Sequence, residues 1–226
     1  MINIDTVYQR VLALANKEQR GYVTPLEFNL LANQAQLDIF EQYFYDITQF
    51  AVTKDVGSEY SDTLDMLEEK MALFETRANI GSGATLPSDL YRLGTVFYNL
   101  KEVEQLEKKK LLYVLSSPLT IPTNDRPIYV RFGDSIEVFG NGGNQITSGV
   151  KCTYIKQPDN VEWGYNVVAN KALYNASKSI NFELHNAEET KLVIKILELA
   201  GIVINKPGLI SVAAQKEASK LQQEKS

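Results

Sequence analysis

Few residues in this chain are of a type that could do chemistry. There is one histidine, His185, and one cysteine, Cys152. A hydrolytic triad needs a nucleophile presented by a sharp turn, and no Gly-x-Ser-x-Gly elbow is present. His185 stands just before a helix start, so it reads as a hydrogen-bonded structural histidine. Cys152 alternates with Lys151 and Thr153 in a strand-like run and reads as a small buried side chain. The stretch Gly140-Asn141-Gly142-Gly143-Asn144 is glycine-rich enough to suggest a phosphate cradle. A P-loop would continue Gly-Lys-Ser/Thr, and a dinucleotide site would space its glycines between strand and helix. Neither occurs, and a loop between strands is expected. Asp159, Asn160 and Glu162 lack the spacing of a calcium loop. Lys108-Lys109-Lys110 follows Glu104 and Glu107 and reads as a solvated charged face. These residues assign no catalytic, metal or cofactor site, and no cofactor is expected.

Composition sets the frame for the elements. The chain has 226 residues, 44% hydrophobic and 23% charged, which is ordinary globular content. A chain of this size buries roughly 70% of its unfolded surface, so it folds without disulfides or metal. One cysteine permits no intrachain disulfide, in keeping with a reducing compartment. No basic start followed by an apolar run marks a secretory signal, and no apolar stretch is long enough for a bilayer. The net charge is −5, and it is uneven: residues 1–80 carry 6 basic against 13 acidic side chains. An acidic region repels DNA rather than holding it. Tyrosine, at 12 residues, combines apolar area with a polar tip, as interfaces do.

Three regions follow from the patterning. Ile4, Val7, Tyr8, Val11 and Leu12 predict an amphipathic helix over 4–15. Thr24-Pro25-Leu26-Glu27 is a capping box with proline in the first turn, predicting a helix from there to about Tyr45. That helix has two apolar rows. One is Leu26, Leu30, Leu37, Phe40 and Phe44; the other is Phe28, Leu31, Ala32, Ala35 and Ile39. Two rows suggest burial on one side and something else on the other, either a central place in a helical bundle or a subunit interface, and the second row is taken as the candidate interface. Leu64, Leu67, Met71 and Phe74 predict a third helix whose outer face is acidic, through Asp65, Glu68, Glu69 and Glu75. From residue 84 the texture becomes β-like: Leu93 to Leu100, a hairpin of Ile128–Phe132 and Ser135–Phe139 about Gly133-Asp134, and Val150 to Ile155. Residues 103–115 are ambiguous, and 166–181 give no clear pattern. A last helix starts near Asn186 and buries Val193, Ile196, Leu197 and Ala200, with Gly201 weakening or ending it. Residues 206–226 predict a marginal helix that needs a partner.

The expected fold is therefore α+β: an N-terminal helical bundle completed by C-terminal helices, with a central antiparallel β-rich insertion. The expected division is 1–83 helical, 84–165 β-rich and 166–226 helical with a docking tail. Candidate interface residues are Phe28, Leu31, Ala35 and Ile39 on the second helix, and Ile202, Ile204, Leu209, Val212 and Leu221 in the tail.

Several stretches, in this order, resemble a known family: VLALANKEQRGYVTPLEFNLLANQAQLDIFEQYF, LPSDLYRLGTVFYN, PLTIPTNDRPIYV with IEVF, TYIKQPDNVEW, and FELHNAEETKLVIKILELAGIVI. The series is similar to virion structural proteins of podovirus-like phages, especially crAss-like phages, and within them to a ring or head–tail adaptor protein, over about residues 2–205. The resemblance implies a non-enzymatic connector subunit in a ring of twelve copies. Such a ring docks beneath the portal protein, extends the DNA channel without sequence-specific binding, and supports further tail proteins. It also implies a place at the head–tail junction of the virion, assembled in the bacterial host cytoplasm, with no membrane partner. An acidic channel wall formed by the N-terminal helices would let DNA slide, since basic contacts are what retain phosphate. The alternatives are another tail-stack or minor capsid protein, such as a tail hub, and a hydrolase built around His185.

Overall fold

The computed structural model describes residues 1–17, 22–52, 59–80, 85–169 and 171–201. The chain is α+β and divides into two compact units. Residues 1–73 with 158 onward form one, and the contiguous segment Phe74–Gln157 forms the other.

The helical unit is built on α1 (Ile4–Lys17), α2 (Pro25–Val52), α3 (Glu59–Ala72) and α5 (Glu189–Leu199). The α2 start follows the capping logic. Thr24 N–H donates to Glu27 Oε2 at 3.0 Å, and Glu27 N–H donates back to Thr24 Oγ1 at 3.3 Å. Ile4, Val7, Tyr8 and Val11 of α1 are buried, as are Val193, Ile196 and Leu197 of α5. Helix α5 packs against both α1 and α2, so the C-terminal end of the described chain completes the N-terminal bundle. Gly201 at φ +69 ends α5, a conformation that costs a residue with a Cβ about 1–2 kcal/mol.

An extended segment, 158–163, runs along α2 and is held by side-chain amides. Asn29 accepts from Trp163 N–H at 2.8 Å and donates to the Trp163 carbonyl at 3.4 Å. Asn33 does the same to Val161, at 2.8 and 2.9 Å. Gln36 donates to the Asp159 carbonyl at 2.8 Å and accepts from Glu183 N–H at 3.1 Å. Four helical residues rise about 6 Å, and two extended residues rise about 6.6 Å. Asn29 and Asn33 therefore match Trp163 and Val161 in step, and two side chains supply the ladder a neighbouring strand would otherwise provide.

The β-rich unit holds β1 (Glu75–Ile80), β2 (Leu90–Tyr98), β3 (Lys101–Glu102), β4 (Glu104–Gln105), α4 (Leu111–Ser116), β5 (Ile128–Phe132), β6 (Ser135–Gly140), β7 (Asn144–Ile146) and β8 (Val150–Lys156). One sheet has the order β1-β8-β2-β3 and the other β4-β5-β6-β7. The β5–β6 hairpin closes on Gly133-Asp134, with Phe132 opposite Ser135 and Gly133 at φ +60. All pairs are antiparallel except β4 with β5. Ile80, Leu86, Val96, Val103, Ile136, Val138, Val150 and Tyr154 gather into the core of this unit with Cys152.

Several boundaries and assignments differ from the sequence reading. The apolar spacing of Leu67, Met71 and Phe74 runs on past the end of α3, yet the chain turns to strand at Glu75, because β1 pairs along its whole length with β8. The β-rich unit thus begins at 74 rather than 84 and ends at 157 rather than 165. The ambiguous 103–115 becomes two short strands flanking buried Val103, a 3-10 turn over Lys108–Lys110 and α4. The unassigned 166–181 contains a hairpin, β9 (Tyr165–Val168) with β10 (Lys171–Tyr174), and this sits in the helical unit.

Candidate functional site

The chemistry-bearing residues fall where a structural role places them. His185 Nδ1 accepts from Ala187 N–H at 3.2 Å and caps the 3-10 turn Asn186–Glu188 that leads into α5. Cys152 is buried in the sheet, and burial pushes its thiol up from its ordinary value. Asn141 to Gly143 connect β6 to β7, a turn between strands. Lys110 pairs with Glu107 at 3.3 Å, and Lys108 Nζ lies 4.9 Å from the centre of the Phe132 ring. Among the described residues no group of His, Cys, Asp or Glu side chains could hold a metal ion. No helix among them is long and apolar enough to cross a membrane. The β-rich unit has an open groove of about 690 Å³ lined by Arg77, Asn79, Phe97, Asn99 and Lys151. Glu75 follows the alternation onto the same sheet face as Arg77, and Glu102 stands opposite Phe97, so the charge around the groove is mixed.

The interface candidates on α2 require a correction. Phe28, Ala35 and Ile39 are buried within this chain and Leu31 is half-buried. A side chain with no exposed surface offers nothing to a second subunit. The core-facing side of α2 is the one continuous with Asn29, Asn33 and Gln36, whose amides must reach 158–163. The open side carries only the start of the other row, with Leu26 65% and Leu30 69% exposed, whereas Phe40 of that row is buried and Leu37 and Phe44 are half-buried. Glu27, Gln34 and Glu41 are exposed on that side as well. Ile202, Ile204, Leu209, Val212 and Leu221 lie outside the described residues.

The feature that sequence reasoning missed is the β9–β10 hairpin. Its base is anchored by aromatic stacking: the Tyr165 and Tyr174 rings each lie 5.7 Å from Trp163, which in turn lies 4.6 Å from Tyr8. Trp163 Nε1 donates to Asp5 at 2.9 Å, and the Tyr8 hydroxyl donates to the Val23 carbonyl at 3.0 Å. Burial, before any neighbouring group, raises the Tyr8 hydroxyl far above its ordinary value, so it remains a donor. Cross-strand partners share a face. Tyr165, Tyr174, Val167 and Ala172 make one face; Asn166, Leu173, Val168 and Lys171 make the other. On that second face Val168 is 55% and Leu173 52% exposed. Lys178 Nζ donates to Asn166 Oδ1 at 3.0 Å, which adds a second cation beside Lys171. Among the described residues the two strands pair only with each other. An isolated two-stranded hairpin with open edges and exposed valine and leucine is a surface suited to contact with another chain.

A scan against protein-family models finds no match to the chain, and a search of curated proteins finds none that is significantly similar.

Proposed function

We propose that this chain is a virion structural protein of a tailed phage: a non-enzymatic adaptor subunit that assembles as a ring, of twelve copies by resemblance, beneath the portal protein. In this reading it extends the channel through which DNA passes and joins the capsid to the tail. The observation that carries the proposal is the pairing of the family resemblance with exposed apolar surface at two places on the helical unit: the β9–β10 hairpin and the open side of α2. A subunit with two different adhesive surfaces forms heterologous contacts, and these close into a ring when the rotation between copies divides a full turn. The acidic helices of this unit suit a wall along which phosphate slides. Residues 1–80 carry 6 basic against 13 acidic side chains.

A different ring of the tail stack, or a minor capsid protein, would use the same surfaces with a different neighbour. The β-rich unit carries exposed apolar residues of its own, Leu112, Tyr113 and Leu119, which suit a stacked partner. Negative-stain imaging of the purified protein, alone and mixed with the portal protein of its phage, tests the proposal. Rings with a central hole, or added density under the portal, are the expected result. A protein that forms no ring and ignores the portal overturns the adaptor reading.

A further inference from the structure

The outer hairpin face and the open side of α2 complement each other in three respects. Each presents two apolar side chains, Val168 and Leu173 on the hairpin and Leu26 and Leu30 on the helix. The spacing agrees. Val168 and Leu173 are diagonal neighbours across the strands, with Cβ atoms somewhat under about 7–8 Å apart. Leu26 and Leu30 are one helical turn apart, about 5–6 Å. The charges are opposite: residues 164–181 contain Lys171 and Lys178 and no acid, whereas the open side of α2 carries the exposed acids Glu27 and Glu41 and Pro25–Val52 contains no base; Asp38 of that helix is already paired with Lys195. Among the described residues neither Lys171 nor Glu41 has an ion-pair partner.

We infer that the β9–β10 hairpin of one copy docks on the open side of α2 in the next copy. Val168 and Leu173 then cover Leu26 and Leu30, and Lys171 faces the acidic flank of the helix. The occupant is a second copy of this chain because this chain itself supplies both complementary halves. The inference rests on the reading of the protein as a self-assembling subunit and names the surfaces by which it would do so. The contact is small: four apolar side chains and a few charges fall well short of the ~20–30 residues a side of a standard interface. A single contact is therefore weak, and closure of a ring is what makes it persist.

Mixed cross-linking reads such a weak contact directly. Leu30→Cys and Leu173→Cys are made separately in the full chain, mixed, and oxidised. Both positions are exposed, and Cys152 is buried out of reach of the oxidant. Fluorescence of Trp163, the single tryptophan, checks that each variant folds. The expected result is a disulfide dimer containing one copy of each variant, several-fold above the yield from either alone. Lys171→Glu in the Leu173→Cys background, or added salt, should lower that yield several-fold. No mixed dimer above the single-variant controls overturns the inference. Rings in images without a mixed dimer overturn it while leaving the adaptor reading in place. A mixed dimer in preparations that image only as closed pairs supports the contact and removes the ring.

Discussion

Replacing Asn33 with alanine should destabilise the helical unit by about 2–4 kcal/mol. Asn33 makes two hydrogen bonds to Val161, whose own side chain is buried, and alanine removes both. Each intramolecular hydrogen bond is worth about 0.5–1.5 kcal/mol net, and a buried polar group left without a partner costs about 1–3 kcal/mol. Val161 would be left with an unpaired N–H and an unpaired carbonyl against the helix, and partial access of water keeps the sum below the maximum of both terms. Urea unfolding followed by Trp163 fluorescence is the assay, since the tryptophan lies two residues away in the same segment. With a urea slope of about 2 kcal/mol per molar, the midpoint should fall by about 1–2 M. Asn33→Asp makes the argument sharper. It keeps an acceptor for Val161 N–H and sets a carboxylate against the Val161 carbonyl. Protonation restores a donor, so the folded state favours the neutral acid and raises its pKa above the unfolded value. The variant should then be closest to wild type below the ordinary carboxylate pKa and lose stability as pH rises through the raised value. A loss below about 0.5 kcal/mol for Asn33→Ala would refute the idea that side-chain amides substitute for a strand here.

Other outcomes follow from single features. Lys70 Nζ lies 2.6 Å from buried Glu188, so Lys70→Met should cost about 3–5 kcal/mol by stranding that carboxylate, and adding Glu188→Leu should recover most of it, read by urea unfolding. Burial raises the carboxyl of Asp46 above its ordinary value, so its ionised form opposes folding; Asp46→Asn should raise Tm at neutral pH, with the gain vanishing below the unfolded carboxylate pKa. Ala169 closes the β9–β10 turn at φ +49, and Ala169→Gly should stabilise the hairpin by about 1 kcal/mol, seen as slower amide exchange in β9 and β10.

Local signals with a mechanism were legible in the sequence. The Thr24–Glu27 box, the Gly133-Asp134 hairpin and the amphipathic α1 and α5 each rest on interactions within a few residues. The inner and outer sides of α2 were not legible from apolar residues alone, because both rows are apolar. The polar residues held the missing signal. Asparagine is a poor helix former, and Asn29 and Asn33, with Gln36, recur at helical spacing along one flank, which points to a backbone partner on that side. The end of α3 was hidden because Phe74 continues the helical spacing while serving the other unit, and Glu75–Ile80 has little β propensity. Its strand form comes from pairing with β8. The hairpin at 165–174 escaped because exposed strands lack the alternation that burial imposes on one face. No motif marked the candidate site, since apolar side chains open to solvent look in sequence like those of a core.

The strands that enter and leave the β-rich unit are neighbours, with Lys156 N–H donating to the Phe74 carbonyl at 2.9 Å. This sets an order of events on the ribosome. The β-rich unit is contiguous and can fold as soon as residue 157 has emerged. The helical unit must wait for α5, and at about 5–20 residues per second the gap between α3 and α5 lasts on the order of 10 s. Throughout that interval the inner face of α2, with Phe28, Ala35 and Ile39, is without α5, and newly made copies held close together are at risk of misassembly. Slowing translation between residues 157 and 200 should therefore lower soluble yield more than slowing it before residue 74.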